Sequence, residues 1–202
     1  MREHAKHLPA DERRAATVEA VVHLAADQNP SDITTAAIAQ KMGLTQGALF
    51  RHFPSKDNIL EAVMSWVSER LLTSVDKAIQ EAASPMEALE AVFMTHIGFV
   101  SEHPGVPRLL FGELQRPGIT LAKKMAQTMI KGYSERTSRL LQSAVQRKEL
   151  PDELDINSAS VLFIGSIQGL VMQALIAGDV SHIRRDAPGV FAIYCRGIGA
   201  QS

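Results

Sequence analysis

The chain has 202 residues, 46% hydrophobic and 21% charged, with a net charge of −1, which is enough apolar material for one core plus a small extra module and excludes a disordered tail. Its single cysteine, Cys195, excludes an internal disulfide and the paired-cysteine zinc motifs and suits a reducing compartment. An almost neutral total neither requires nor excludes nucleic acid, so the distribution of charge carries the information.

The N-terminal residues Met1, Arg2, Glu3, His4, Ala5 and Lys6 are polar and lead into Asp11-Glu12-Arg13-Arg14, so no signal-peptide core is read there and a cytoplasmic protein is expected. Val18, Val21, Val22 and Ala25 recur at helical spacing and predict a first helix, ended by Asn29-Pro30-Ser31-Asp32. Thr34 or Thr35 caps a second helix running to about Lys41. Met42-Gly43-Leu44 then forms a turn, and Thr45 caps a third helix through about His52. Ser55 is the expected N-cap of a long helix whose face is marked by Leu60, Val63, Met64, Val67, Leu71, Val75 and Ala78. Ser84-Pro85-Met86-Glu87 reads as a capping box with proline at the first helical position. A stripe of Leu89, Val92, Phe93, His96 and Val100 follows, up to the break His103-Pro104-Gly105-Val106-Pro107. After a short segment around Leu109-Leu110-Phe111 and a second break at Pro117-Gly118, a long pattern runs through Leu121, Met125, Met129, Tyr133, Leu140, Ala144 and Val145. Asp155 opens a further helix, and Asp186-Ala187-Pro188 is expected to open the last one, with Val190, Phe191, Tyr194 and Ile198 on its inner side. No run alternates with period two over a strand's length, so the class is all-α. The functional boundary falls near Ser55, dividing residues 1–54 from residues 55–202.

Two short helices joined by a glycine-containing turn are a helix-turn-helix. From Ile33 to Lys56 the charged residues are Lys41, Arg51 and Lys56, with no Asp or Glu, and a locally basic window attracts phosphates. Such a window is also compatible with a solvated fluctuation of charge. Ile38, Ala39, Met42, Leu44, Leu49 and Phe53 account for the apolar interior of the motif and leave Phe50 outside it. The N-terminal part of the second helix enters the major groove in this motif, which makes Thr45, Gln46, Gly47 and Ala48 the base-facing candidates. Gln46 has the two-pronged amide that pairs with an adenine edge, against the alternative of a solvated surface amide. Arg51, His52 and Lys56 sit where phosphates would pass.

The run Ile33-Thr34-Thr35-Ala36-Ala37-Ile38-Ala39, followed by Met42-Gly43-Leu44-Thr45-Gln46-Gly47-Ala48-Leu49-Phe50-Arg51-His52-Phe53-Pro54-Ser55-Lys56, resembles the DNA-binding signature of the TetR family of bacterial regulators over roughly residues 13 to 65. The resemblance implies an N-terminal three-helix DNA-binding domain followed by a helical ligand-binding and dimerisation bundle. It implies a homodimeric, ligand-responsive regulator, most often a repressor, acting on a double-stranded DNA operator. Carried over, base contacts fall on Thr45, Gln46, Gly47 and Ala48, phosphate contacts on Thr35, His52 and Lys56, and Thr34 and Arg51 belong to the same face. Phe50 stands where the family commonly has tyrosine, so an apolar contact, such as one to a thymine methyl, replaces a hydroxyl contact. The glycine usual before the threonine pair is replaced by the Asn29–Asp32 turn.

HExxH, paired Glu-x-x-His, the phosphate-binding Gly-x-x-x-x-Gly-Lys loop and Gly-x-Ser-x-Gly are all absent, so no enzyme, cofactor or metal is expected. The competing reading is a helical membrane-associated or protein-interaction module without sequence-specific DNA binding, because Ile156 to Gly178 carries no charge and contains Gly165-x-x-x-Gly169. Asn157, Ser158, Ser160, Ser166, Gln168 and Gln173 interrupt that segment, which is too polar for a lone span, and no membrane partner is expected. Phe93, His96, Met125, Met129, Tyr133, Phe163 and Met172 are candidates to line a site for a small-molecule effector, although each is more often a core residue than a ligand contact. Leu162, Gly165 and Gly169 form a small-residue stripe expected at a dimer interface, with Phe191 and Tyr194 completing a four-helix packing.

Overall fold

The computed structural model describes residues 9–200, and the segment from Met1 to Lys6, on which the expected lack of a signal peptide rests, lies outside them. Regular structure among the described residues is entirely helical: α1 (Ala10–Asp27), α2 (Thr35–Lys41), α3 (Gln46–Phe50), α4 (Lys56–Glu81), α5 (Pro85–Glu102), α6 (Gly105–Leu114), α7 (Leu121–Gln146), α8 (Ile156–Ala177) and α9 (Ser181–Gly197). The chain divides into two compact units. One comprises the residues up to Glu69 together with His103–Gln127; the other comprises Arg70–Glu102 together with the residues from Thr128 onward. Division by packing therefore does not coincide with a division by function after residue 54, because α4 and α7 contribute to both units.

In the first unit, Val18, Val21, Val22 and Ala25 of α1 are buried, as their spacing predicts. Part of what covers them is α6, which packs on α1. A Cβ on Gly105 would lie 2.0 Å from the Val22 carbonyl oxygen and 2.9 Å from the Ala26 nitrogen, so backbone meets backbone there and no side chain fits. Met64, Ala122 and Ala126 form a further buried cluster, with Leu60, Leu110 and Met125 packed against it. Glu113 is a buried carboxylate in this unit. It accepts from Arg116 Nη1 at 3.1 Å and from the Thr120 hydroxyl, and such partners are what make a buried charge tolerable.

In the second unit, Ser84 Oγ accepts from the Glu87 amide at 3.1 Å while the Glu87 carboxylate accepts from the Ala83 amide at 3.0 Å, a capping box that reaches one residue further back than the usual form. Asp155 caps α8 by accepting from the Ser158 amide at 3.1 Å. Arg136 grips Asp76 with two bonds of 2.6 and 2.8 Å, and that hydrogen bonding holds the Asp76 carboxyl below the ordinary carboxylate value.

α8 packs on α9 and α5, burying Ala159, Phe163, Ile167, Leu170, Val171 and Ala174. By length and composition alone α8 is long and apolar enough to cross a membrane. α9 starts at Ser181 and not at the expected Asp186–Pro188, with Pro188 inside the helix. The Asp179 carboxylate accepts from the Ser181 amide at 2.8 Å, which starts the helix early. Ile183, Ala187, Phe191 and Tyr194 then fall on one buried face, and that packing outweighs an interior proline's cost of about 3 kcal/mol.

Candidate nucleic-acid interface

The local chemistry of residues 33–58 places each candidate side chain. Thr34 is the N-cap of α2, its hydroxyl accepting from the Ala37 amide at 3.1 Å, which leaves Thr35 as the first helical residue. Gly43 adopts φ +68°, and the Leu44 amide bonds back to Ala39 O at 2.8 Å and the Gly43 amide to Gln40 O at 3.1 Å, the paired bonds of a Schellman stop. Thr45 caps α3 by accepting from the Ala48 amide at 3.2 Å. α3 ends at Phe50 rather than His52. Leu49 and Phe53 are buried beneath it with Ile38 and Ala39 of α2, while Phe50 stays 41% exposed.

Thr45, Gln46, Gly47 and Arg51 are exposed along the outer side, with Ala48 half-buried. A Cβ on Gly47 would meet nothing within 4 Å, so the protein's own packing does not require a glycine there. Gln46 Nε2 donates to the Thr35 hydroxyl at 2.7 Å. An amide nitrogen has two N–H donors, so one donor and the carbonyl remain available for an adenine edge.

The flanking cations are held in place. Lys56 Nζ donates to Pro30 O at 3.2 Å. Partial burial, and then the Arg116 guanidinium, lower the Lys56 ammonium from its ordinary value. Arg116 in turn donates to Asp57 at 2.8 Å, at the start of α4, and the bonds to Asp57 and Glu113 raise its own value. Arg13 Nη1 lies 2.8 Å from His52 Nε2; a guanidinium only donates, so the imidazole accepts. The Arg14 guanidinium sits 4.9 Å from the centre of the Phe53 ring. The motif leaves Arg13, Arg14 and Arg116 out of the candidate set. The adjacent pair Arg13-Arg14 was visible as charge, but nothing in the sequence brings Arg116 to Asp57.

Residues 18–63 match the family model described as bacterial regulatory proteins, tetR family. Those residues form a DNA-binding domain of the TetR type. It is 32% identical over 100 residues to the nucleoid occlusion factor SlmA of Marinomonas sp. (strain MWYL1), a match spanning 50% of this chain and 51% of that relative. To the nucleoid occlusion factor SlmA of Vibrio vulnificus (strain YJ016) it is 27% identical over 164 residues, 78% of this chain and 81% of the relative. Among solved structures, it superposes on the transcriptional regulator FadR from Bacillus subtilis, determined in complex with stearoyl-CoA, with a TM-score of 0.79 at 19% identity, covering 91% of this chain and 98% of that one. That likeness shows a shared all-helical fold.

Of the seven effector candidates, Phe93, His96, Met129, Tyr133, Phe163 and Met172 belong to the second unit. Met125 does not join them: it packs against Met64, Ala122 and Ala126 in the first unit, because α7 passes from one unit to the other between these two methionines. Met172 is 40% exposed on the outer side of α8, since the step of about 100° after buried Val171 turns it outward. The interface candidates divide as well. Leu162 is 51% exposed, and a Cβ on Gly165 or Gly169 would meet nothing within 4 Å. Phe191 and Tyr194, expected at the same interface, are instead buried inside their own unit, with Tyr194 donating to Ala159 O at 3.1 Å.

Proposed function

We propose that this chain is a ligand-responsive transcriptional regulator, acting as a repressor, that binds a pseudo-palindromic operator as a homodimer and is released by a small-molecule inducer. Residues 1–54 read DNA and residues 55–202 carry the effector site and the dimer contact. The protein acts in the cytoplasm. The observation that carries this reading is the capped helix-turn-helix, whose outer side offers Thr45, the Gln46 amide and an open Gly47 backbone between flanking cations. Phosphates are met by Thr35, Arg51, His52 and Lys56, and Phe50 offers an apolar contact. The FadR structure with stearoyl-CoA supports an effector held by the helical bundle.

The test is selection of a DNA consensus with the wild-type chain and two variants. Lys56→Ala weakens binding to all sequences, whereas Gln46→Ala changes the preferred base at its position by about 1–3 kcal/mol. An unchanged consensus for Gln46→Ala removes the base-reading assignment.

The long match to the Vibrio relative favours a second reading, in which the chain acts in nucleoid occlusion and its DNA contacts distribute it over the chromosome. Mapping bound sites across the genome separates the two: one or a few operators belong to the regulator, many dispersed sites to the second reading.

A further inference from the structure

Two polar groups of the second unit, His96 Nδ1 on α5 and the Tyr133 hydroxyl on α7, are sealed from solvent and have no hydrogen-bond partner. They are neighbours: the ring centroids lie 5.3 Å apart at 64°. Tyr194, buried in the same aromatic cluster, shows the ordinary arrangement, its hydroxyl satisfied by a backbone carbonyl. Native interiors leave few polar groups unpaired, and each such group bears its full desolvation cost. A single guest group within hydrogen-bond reach of both atoms satisfies both, since a phenol hydroxyl donates and accepts and a neutral imidazole nitrogen does one or the other.

The surroundings define the guest. Phe163 lies 6.5 Å from Tyr133, and Phe93 meets Phe163 edge to face at 5.5 Å, so the wall is aromatic. Burial lowers His96 to about 4 and raises Tyr133, so both groups are neutral at physiological pH. A carboxylate entering here would lose its hydration and gain no charge from His96 or Tyr133, whereas an uncharged hydroxyl would exchange water for two hydrogen bonds. His96 as a residue is half-buried, while its Nδ1 and the Tyr133 hydroxyl are sealed, so a guest reaches them only by displacing side chains around the pair.

We propose that His96 and Tyr133 are the polar handle of the effector site, and that the site takes a small aromatic molecule bearing one uncharged hydroxyl, seated against Phe93 and Phe163. This rests on the effector reading above and adds the chemistry of the ligand.

Three probes of one shape test it by calorimetry on the full chain at neutral pH: 2-naphthol, naphthalene and 2-naphthoate. The hydroxyl probe binds about tenfold more tightly than either of the others. Tyr133→Phe, which keeps the ring packing, removes that preference without weakening naphthalene, and His96→Leu does the same. Naphthoate binding as tightly as naphthol, equal binding of naphthol and naphthalene, a preference that survives in both variants, or no binding of any probe each overturns the proposal. Operator release is measured in parallel. Naphthol bound through the two residues with operator affinity unchanged supports the handle and removes the effector reading. A different ligand that releases operator equally from wild type and Tyr133→Phe keeps the effector reading and overturns the handle.

Discussion

Tyr133 and Tyr194 differ in their use though not in their composition: one hydroxyl is tied to Ala159 O and the other is unpaired beside His96. The same burial gives His96 a measurable signature. Desolvation lowers its imidazole from 6.5 to about 4, so on acidification through that window the unfolded chain takes up a proton that the folded chain refuses. Stability therefore falls as pH drops from 6.5 and the loss is complete below about 4. His96→Leu abolishes this uptake. Its unfolding free energy, measured by urea titration at several pH values, varies less across the window than that of the wild type, by a few kcal/mol at most. Identical pH slopes would show that the imidazole is hydrated in the folded chain. At this scale the caps and the turn of the helix-turn-helix were legible, because they are local chemistry: Thr34, Thr45 and Gly43 do what their types predict. The bond from Gln46 to Thr35 was not legible, because it joins two helices.

Among the elements, the contact of α6 with α1 is the most demanding. Gly105 faces the Val22 carbonyl, which is backbone and cannot move by changing rotamer. Gly105→Ala therefore either lifts α6 from α1 or distorts α1, at about 1–3 kcal/mol or more, and thermal unfolding should register a clear drop. Gly112 is the control, since its added Cβ would lie 3.3 Å from the Pro30 side chain. Gly112→Ala, which also gains about 1 kcal/mol of helix propensity, should leave the midpoint nearly unchanged. Equal effects of the two substitutions would contradict the backbone contact. The start of α9 belongs to this scale too: proline at the first helical turn is the stronger local signal, but Ile183 and Ala187 gain a buried face when the helix begins earlier.

For the whole molecule, the outer side of α8 bears on assembly. Val161, Leu162, Met172 and Ile176 are exposed there, Ile176 by 79%, and Ile193 of α9 is exposed as well. An apolar surface of this kind marks a site of association, and a single recognition helix reads too few base pairs for useful specificity. The proposed dimer places two such helices about 34–36 Å apart on the duplex. An added Cβ on Gly169 meets nothing within 4 Å, so Gly169→Leu starts into open space and is placed to obstruct a close approach of another copy. The variant should sediment as a monomer with unchanged helical content and lose tight operator binding. Wild type sedimenting as a monomer at micromolar concentration, with full operator affinity, would exclude the dimer.

By itself the sequence determined the helical class, most of the helix starts and the register of the DNA-reading motif, because periodicity, capping and turn chemistry act over a few residues. It also determined which residues share a helix face. What covers each face was decided only by the tertiary structure. Met125 and Met129 share a stripe on α7 yet belong to different compact units, and Phe191 and Tyr194 were drawn into their own unit's core rather than left at an interface. A 3.6-residue period says that a face is apolar, and it carries no information about the neighbour that buries it.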